Sequence, residues 1–192
     1  MRTADLQKIK SFAEGKYSQN KGQHDIRHVE RVSANALKIT DILGKDHEID
    51  EDLLSAAGYL HDILKTDMKG NLVLSLYYYF FERSINRKHL GAILKKFNLP
   101  ENESQILESA IINHPYSIPF RILNKKNDIY SKVLQDADSI DYISDSRLAS
   151  FNKKMWFLSP ISKLFISLIR KNIGYFLNFP EVAKRMEMFD GN

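Results

Sequence analysis

Imidazole and carboxylate side chains stand beside apolar helical stripes at four separated places. These are Asp25-Ile26-Arg27-His28-Val29-Glu30-Arg31-Val32, Leu60-His61-Asp62-Ile63, Asn113-His114 and Gln135-Asp136-Ala137-Asp138. Nitrogen and carboxylate donors of this kind hold divalent ions, and an ion with open positions activates water for hydrolysis. Each piece says little alone. A lone histidine such as His28 is more often a hydrogen-bonded, partly buried residue, His-Asp is a common dipeptide, and Asp138 could cap a helix or pair with a lysine. Adjacent helical residues point roughly 100° apart, so His61 and Asp62 reach one ion only if it lies between their directions. Taken together, three helices each set a donor at the edge of a buried face. Two histidines (His28, His61) and two aspartates (Asp62, Asp138) would leave positions on a six-coordinate ion for water and substrate. A carboxylate beside a core stripe costs desolvation energy that such a cation offsets.

Further residues extend the set. His89 and His114 could hold a second metal or a substrate phosphate, and each could equally be a polar residue at a helix end. Lys65 stands one turn after His61, where it could hold a phosphate or sit on the surface favoured by the helix dipole. Arg31, one turn from His28, suits an ion pair with an acid such as Asp141 first and phosphate second. Arg121, after His114, is another basic candidate. The run Tyr77-Tyr78-Tyr79-Phe80-Phe81 could stack on a nucleobase, but five consecutive aromatics point all round a helix, which favours core packing or a homodimer face.

The elements that must position these groups read as helices. Ile9, Phe12 and Ala13 suggest a first amphipathic helix. Val29, Val32, Ala36, Ile39 and Leu43 form one stripe, with Asp25 at the N-cap and Gly44 at the end. Leu53, Ala57, Leu60 and Leu64 form the next. Leu72 to Phe81 fits helix or extended chain. Leu90, Ile93, Leu94 and Phe97 mark another helix, stopped near Pro100. A short one from Glu103 to Asn113 carries Ile106, Ala110 and Asn113 on one side, and Pro115 and Pro119 enforce a loop. Ile129, Val133, Ala137 and Ile140 give a strong stripe. The remainder, broken at Pro160 and Pro180, gives two or three more helices, with Met155 to Phe179 read as a core helix with a polar face. The fold class is all-α, a single-domain helical bundle over 1–192, with a motif core at about 20–150 and C-terminal helices from 151 to 192 packed on it.

Composition narrows the chemistry. The chain has 192 residues, 43% hydrophobic, enough for an ordinary core. It has no cysteine, which removes disulfides, thiolate zinc sites and cysteine nucleophiles. Any ion must be held by imidazole and carboxylate, which suits Mn, Fe, Co, Ni, Zn or Mg; one ion is expected, with room for two. A net charge of +4, from 28 basic and 24 acidic residues, is too mild to indicate nucleic acid. The N-terminal residues lack an apolar leader core, and Lys163, Arg170 and Lys171 interrupt the apolar stretch 155–179, so no membrane span is expected. A cytoplasmic location is the expectation.

Asp-x-x-His-x-x-Arg-Val, then His-Asp, then Ala-Asp within Gln-Asp-Ala-Asp-Ser-Ile-Asp resembles the helix-borne motifs of the HD-domain metal-dependent phosphohydrolase superfamily, over roughly residues 20 to 150. The resemblance implies an HD-type bundle in which His28, His61, Asp62 and Asp138 are the ligands of a primary metal. Members with extra histidines between the His-Asp pair and the last Asp are often binuclear, with the position of Asp62 bridging, and His89 and His114 occupy the matching places. Relatives often carry Gly after His-Asp-Ile where Leu64 stands, and paired histidines where Lys88-His89 and Asn113-His114 stand; the Gly-Tyr-Pro feature of cyclic-dinucleotide phosphodiesterases is missing. The implied activity is phosphohydrolysis of a nucleotide or other small phosphate ester by metal-activated water, with Asp62 orienting the water and Lys65 assisting. Three readings compete with it: a silent metal- or nucleotide-binding regulatory module, a di-iron oxygenase on the same scaffold, and a purely structural bundle. The intact four-residue set favours the enzyme.

Overall fold

The computed structural model describes residues 1–18, 25–44, 47–68, 72–115, 128–154 and 159–189. Their regular structure is helical: α1 (Thr3–Tyr17), α2 (Ile26–Leu43), α3 (Glu51–Leu60), α4 (Leu72–Leu94), α5 (Glu101–Asn113), α6 (Ile129–Tyr142), α7 (Asp145–Lys154), α8 (Ser159–Lys171), α9 (Ile173–Phe176) and α10 (Pro180–Ala183). Short 3-10 turns at Ile63–Met68, Lys95–Phe97 and Met186–Met188 link or extend them. No strand occurs among the described residues.

Helix α2 is the hub. It packs on α3 along one side and α6 along another, while α5 touches α3, α4 and α6. Its stripe of Val29, Val32, Ala36, Ile39 and Leu43 is buried along its whole length. Three aspartates cap three of the site-bearing or core helices. Asp25 accepts from the backbone N–H of His28 at 3.0 Å, Asp50 from that of Leu53 at 2.9 Å and Asp128 from that of Ser131 at 2.8 Å. Such a cap contributes about 1 kcal/mol, and the first also fixes the turn that presents His28. Gly44 ends α2 at φ 71°, a left-handed backbone that a side chain would strain.

The contact between α2 and α3 is unusually close. A Cβ on Gly58 would lie 2.8 Å from the Ser33 Cα, so only glycine lets the two backbones approach this far. Ser33 and Ser55 close the same seam with a hydroxyl–hydroxyl bond of 2.9 Å. This approach brings the ends of α2 and α3 together, and with them His28 and His61.

Leu72 to Phe81, read as helix or extended chain, is helical, inside α4. Several other expectations need correction. The buried side of α5 is Leu107, Ala110 and Ile111 rather than Ile106 and Asn113. In the aromatic run, Tyr77, Phe80 and Phe81 are more than half exposed instead of packed in the core. The stretch read as a core helix contains α8, which buries Ile166 and Ile169 but leaves Leu164, Phe165 and Leu168 facing outward. Pro160 and Pro180 open helices α8 and α10 instead of merely interrupting them, because proline fits the first helical turn, where its missing N–H has no partner to lose. No helix among the described residues is long and apolar enough to cross a membrane.

Candidate metal centre

His28 enters from the first turn of α2, His61 and Asp62 follow the last turn of α3, and Asp138 comes from the third turn of α6. The His28 Nε2 lies 3.2 Å from the His61 Nε2 and 3.2 Å from the Asp62 Oδ2. The His61 Nε2 is 3.4 Å from the same Asp62 oxygen. Asp138 Oδ1 stands 3.7 Å from the His28 Nε2 and 3.9 Å from the His61 Nε2. Ligands about 2.1 Å from a common ion lie about 3.0 to 3.4 Å from one another, so the His28, His61 and Asp62 separations suit one shared cation, and Asp138 stands a few tenths of an ångström wider. His28, His61 and Asp62 are buried, whereas Asp138 is 28% exposed and forms the open side of the group.

The far side of each ring fixes its tautomer. His61 donates its Nδ1 proton to the Gly58 carbonyl at 2.7 Å. His28 directs its Nδ1 at the Asp141 carboxylate, also at 2.7 Å. Both partners are acceptors, so each Nδ1 carries a proton and each Nε2 is the nitrogen that faces the centre. Two Nε2 atoms and two carboxylates then converge in a buried space, where the carboxylates call for positive charge from a proton or a cation. This is the carboxylate–histidine pattern that orients metal ligands from behind.

Asp141 is buried and also receives the Arg31 guanidinium through Nε and, at 3.4 Å, through Nη2. Burial alone would raise its pKa, but the hydrogen bond and charge of His28, the Arg31 hydrogen bond and the charge of Arg147 outweigh that and hold it well below the carboxylate range. Arg31 is therefore engaged in a structural ion pair, the first of the two roles considered for it. Asp138 is likewise lowered: burial opposes ionisation, and His61 and His28 overcome it. Burial would lower His61, yet the charges of Asp62 and Asp138 raise it to about 9. A proton is held on His61 where the carboxylates call for positive charge.

Next to this centre lies a second polar group. The Asp62 Oδ1, on the carboxylate edge turned away from the imidazoles, takes the Lys65 ammonium at 2.7 Å. The same ammonium lies 2.9 Å from the Glu82 Oε1. His114 donates Nδ1–H to the Ile111 carbonyl at 2.7 Å, leaving Nε2 as a lone pair 3.5 Å from that Glu82 oxygen. Burial and the neighbouring His61 push His114 down to about 3, so it stays neutral. Burial lifts Glu82 to about 7 in spite of Lys65. Tyr17, from α1, is buried beside Asp62 and Glu82, and its hydroxyl is raised by burial and by those charges.

His89 does not join either group. It is exposed on α4, because Glu82, Asn86 and Leu90, at intervals of four, form the buried side of that helix, and position 89 is turned about 100° away from 90. Glu82 occupies the place expected for it. Glu82 escaped notice because it follows an aromatic run without visible period; the spacing 82, 86, 90 was its one signal. Asp141 was visible only as a partner for Arg31. Arg121 lies outside the described residues. In the Gln135–Asp138 run the other residues are structural. Gln135 donates to the His114 carbonyl at 3.0 Å, and Asp136 accepts from the backbone N–H groups of Asn178 and Phe179 at 2.8 and 3.1 Å.

An all-α bundle whose separate helices bring two imidazoles and two carboxylates together has the side chains to hold a divalent cation. The model of the HD domain matches residues 25–143, and the chain belongs to that family, a superfamily of metal-dependent phosphohydrolases. The matched span runs from the cap of α2 to the end of α6 and contains all four residues. A solved structure of a protein from Lactobacillus plantarum shares the fold, with a TM-score of 0.57 and 21% identity over 80% of this chain and 64% of that one. The match thus spans less than two thirds of that chain. No curated protein matches the sequence.

Proposed function

We propose that this chain is a divalent-metal-dependent phosphohydrolase acting on a nucleotide or another small phosphate ester. The observation that carries the reading is the pair of Nε2 atoms 3.2 Å apart, each turned inward by an acceptor behind its ring and faced by Asp62 and Asp138. His28, His61, Asp62 and Asp138 would hold the ion. Among the described residues of the site, Asp62, Glu82, Asp138 and Asp141 face Lys65, Arg31 and the His61 imidazole, and a divalent ion can take the place of the proton that Asp62 and Asp138 hold on His61. A divalent ion held there supplies Lewis acidity, lowering the pKa of water and drawing off charge from a phosphoryl group.

The chain's own residues divide the remaining work. Asp138, on the open side, faces the direction from which substrate and water arrive. Asp62 has one oxygen toward the imidazoles and one toward Lys65, so Lys65 fixes the rotation of that carboxylate and thereby the direction of its hydrogen-bond acceptor. Lys65 is only 14% exposed. It therefore acts on a phosphate as a buried positive charge behind Asp62. Glu82, raised to about 7, is suited to accept or return a proton near neutrality.

The test is a panel of nucleoside mono-, di- and triphosphates and simple phosphate esters, assayed with added Mn2+ or Co2+, for the wild type and Asp62→Ala. Phosphate release by the wild type that is abolished by chelator and by the substitution is expected. Silence across the panel by a metal-loaded protein would overturn the enzymatic reading and leave a metal-binding module. Turnover that persists in Asp62→Ala would remove the site.

A further inference from the structure

We infer that α8 is a membrane-surface helix, whose outer side docks on the headgroup layer of an anionic lipid bilayer and lies along it without crossing. The inference is independent of the metal centre. Helix α8 is fastened to the body by one side. Ile166 and Ile169 are buried, and Arg170 ties the helix to the end of α6, donating from Nε to the Ile143 carbonyl at 2.8 Å and pairing with Asp145 at 2.6 Å. The exposed side divides into two halves when residues are set about 100° apart. Leu164, Phe165 and Leu168, which are 64%, 40% and 53% exposed, share an arc of about 100°. Lys163, Ser167, Arg170 and Lys171, all exposed, fill the neighbouring arc. A surface helix of a globular domain turns one apolar stripe to the core; α8 has that stripe and a second one turned outward. Single exposed leucines need no explanation, but these three side chains adjoin one another and form a patch.

Charge selects the occupant. Between Asp145 and Glu181 the sequence carries Arg147, Lys153, Lys154, Lys163, Arg170 and Lys171 and no acidic residue. The whole chain is only +4, so this segment supplies more than all of the net charge and the rest of the chain has a slight excess of acid. A second copy docked through the same face would set like charges against one another. An anionic bilayer satisfies both halves of the helix: its headgroups attract the lysines, while the leucines and the phenylalanine enter the boundary with the acyl chains. The chain's one tryptophan, Trp156, belongs to the same stretch of sequence, and tryptophan is a residue type favoured at that boundary. With 13 residues, α8 is about 20 Å long, too short for the roughly 30 Å hydrocarbon core and suited to lying on it.

The experiment is co-sedimentation of the full chain with vesicles of phosphatidylcholine alone and of phosphatidylcholine mixed equally with phosphatidylglycerol, at low and high salt. It compares the wild type, Leu164→Glu/Leu168→Glu and Lys163→Gln/Lys171→Gln. All four positions are exposed, so the variants keep the fold, which circular dichroism checks. The wild type should bind the mixed vesicles about tenfold or more tighter than phosphatidylcholine alone and come off at high salt. Leu164→Glu/Leu168→Glu should abolish binding, and Lys163→Gln/Lys171→Gln should weaken it about fivefold for each lysine. A wild type that stays in the supernatant with the mixed vesicles overturns the inference, as does equal binding to both vesicle types or binding that the leucine variant leaves unchanged. Light scattering on the same samples reads the other occupant. A wild-type dimer that Leu164→Glu/Leu168→Glu turns into a monomer, with no vesicle binding, would make this face an interface between copies and overturn the inference.

Discussion

Replacing Asp141 with asparagine keeps the shape of the side chain and removes one acceptor oxygen and one charge. In the native site that carboxylate meets His28 Nδ1 at 2.7 Å on one side and the Arg31 guanidinium on the other. An asparagine has a single oxygen to offer both. If the oxygen stays with His28, its amide hydrogens face Arg31, which is 23% exposed and can turn to water; little stability is lost there, about 1 kcal/mol. If the oxygen turns to Arg31, the amide donates to His28 Nδ1, and the ring must move its proton to Nε2. That proton then blocks the lone pair intended for the metal. Loss of a charge-assisted hydrogen bond costs about 1.5–3 kcal/mol, so Asp141→Asn should weaken metal binding about 10- to 100-fold, in line with the usual effect of removing the residue behind a histidine ligand. Destabilisation of about 2 kcal/mol would lower Tm by about 4–8 °C in a chain of this size. Titration calorimetry with Mn2+ reads the first and a melting curve the second. A lowered Tm with metal affinity unchanged would refute the reasoning, since Asp141 would then be a helix-to-helix tie with no hold on His28.

Gly58→Ala should open the α2–α3 seam. Its Cβ would fall 2.8 Å from the Ser33 backbone, which cannot yield as a side-chain tip can. Overpacking of about 1–3 kcal/mol exceeds the helix-propensity gain of up to about 1 kcal/mol, so calorimetry should show lower stability and weaker Mn2+ binding; an unchanged or raised Tm contradicts the close approach. The proton that Asp62 and Asp138 hold on His61, whose pKa is raised to about 9, must leave when metal binds. Apparent Mn2+ affinity should therefore rise about tenfold per pH unit up to about pH 9 and then level off, with proton release measured in weakly buffered solution; a flat profile from pH 7 to 9 rejects this. In the absence of metal the same raised pKa makes His61 stabilising below its ordinary value and progressively less so as pH rises through about 9. Asp136→Ala should strand the N–H groups of Asn178 and Phe179, at about 1–3 kcal/mol each if they stay buried, and release the segment after α9 to limited proteolysis well before the bundle unfolds. Cleavage no faster than in the wild type would deny that clamp.

The bundle was legible because its core helices keep period. The α2 stripe from Val29 to Leu43 and the α6 residues Val133, Ala137 and Ile140 announce both their helices and their buried faces. The donors at the edges of those faces were legible as candidates for the same reason: His28, His61 and Asp138 each stand next to a core position and turn into the seam between helices, whereas His89, next to buried Leu90, turns outward. What stayed hidden lies where period fails. The aromatics of α4 face outward, so hydrophobicity there marks the wrong side and conceals Glu82. Residues that act from behind a ligand, such as Asp141 and the Gly58 carbonyl, carry no pattern of their own, because they are defined by a contact between segments far apart in the chain. Helix α8 misled through composition, since apolar residues on its outer side read as core.

The central claim is that His28, His61, Asp62 and Asp138 share one cation. Crystals grown with Mn2+ and measured at the manganese absorption edge test it directly. The account predicts an anomalous peak about 2.0–2.3 Å from the two Nε2 atoms and from one oxygen of each aspartate. A difference map with no peak between these four side chains, or with manganese bound only elsewhere, would contradict it.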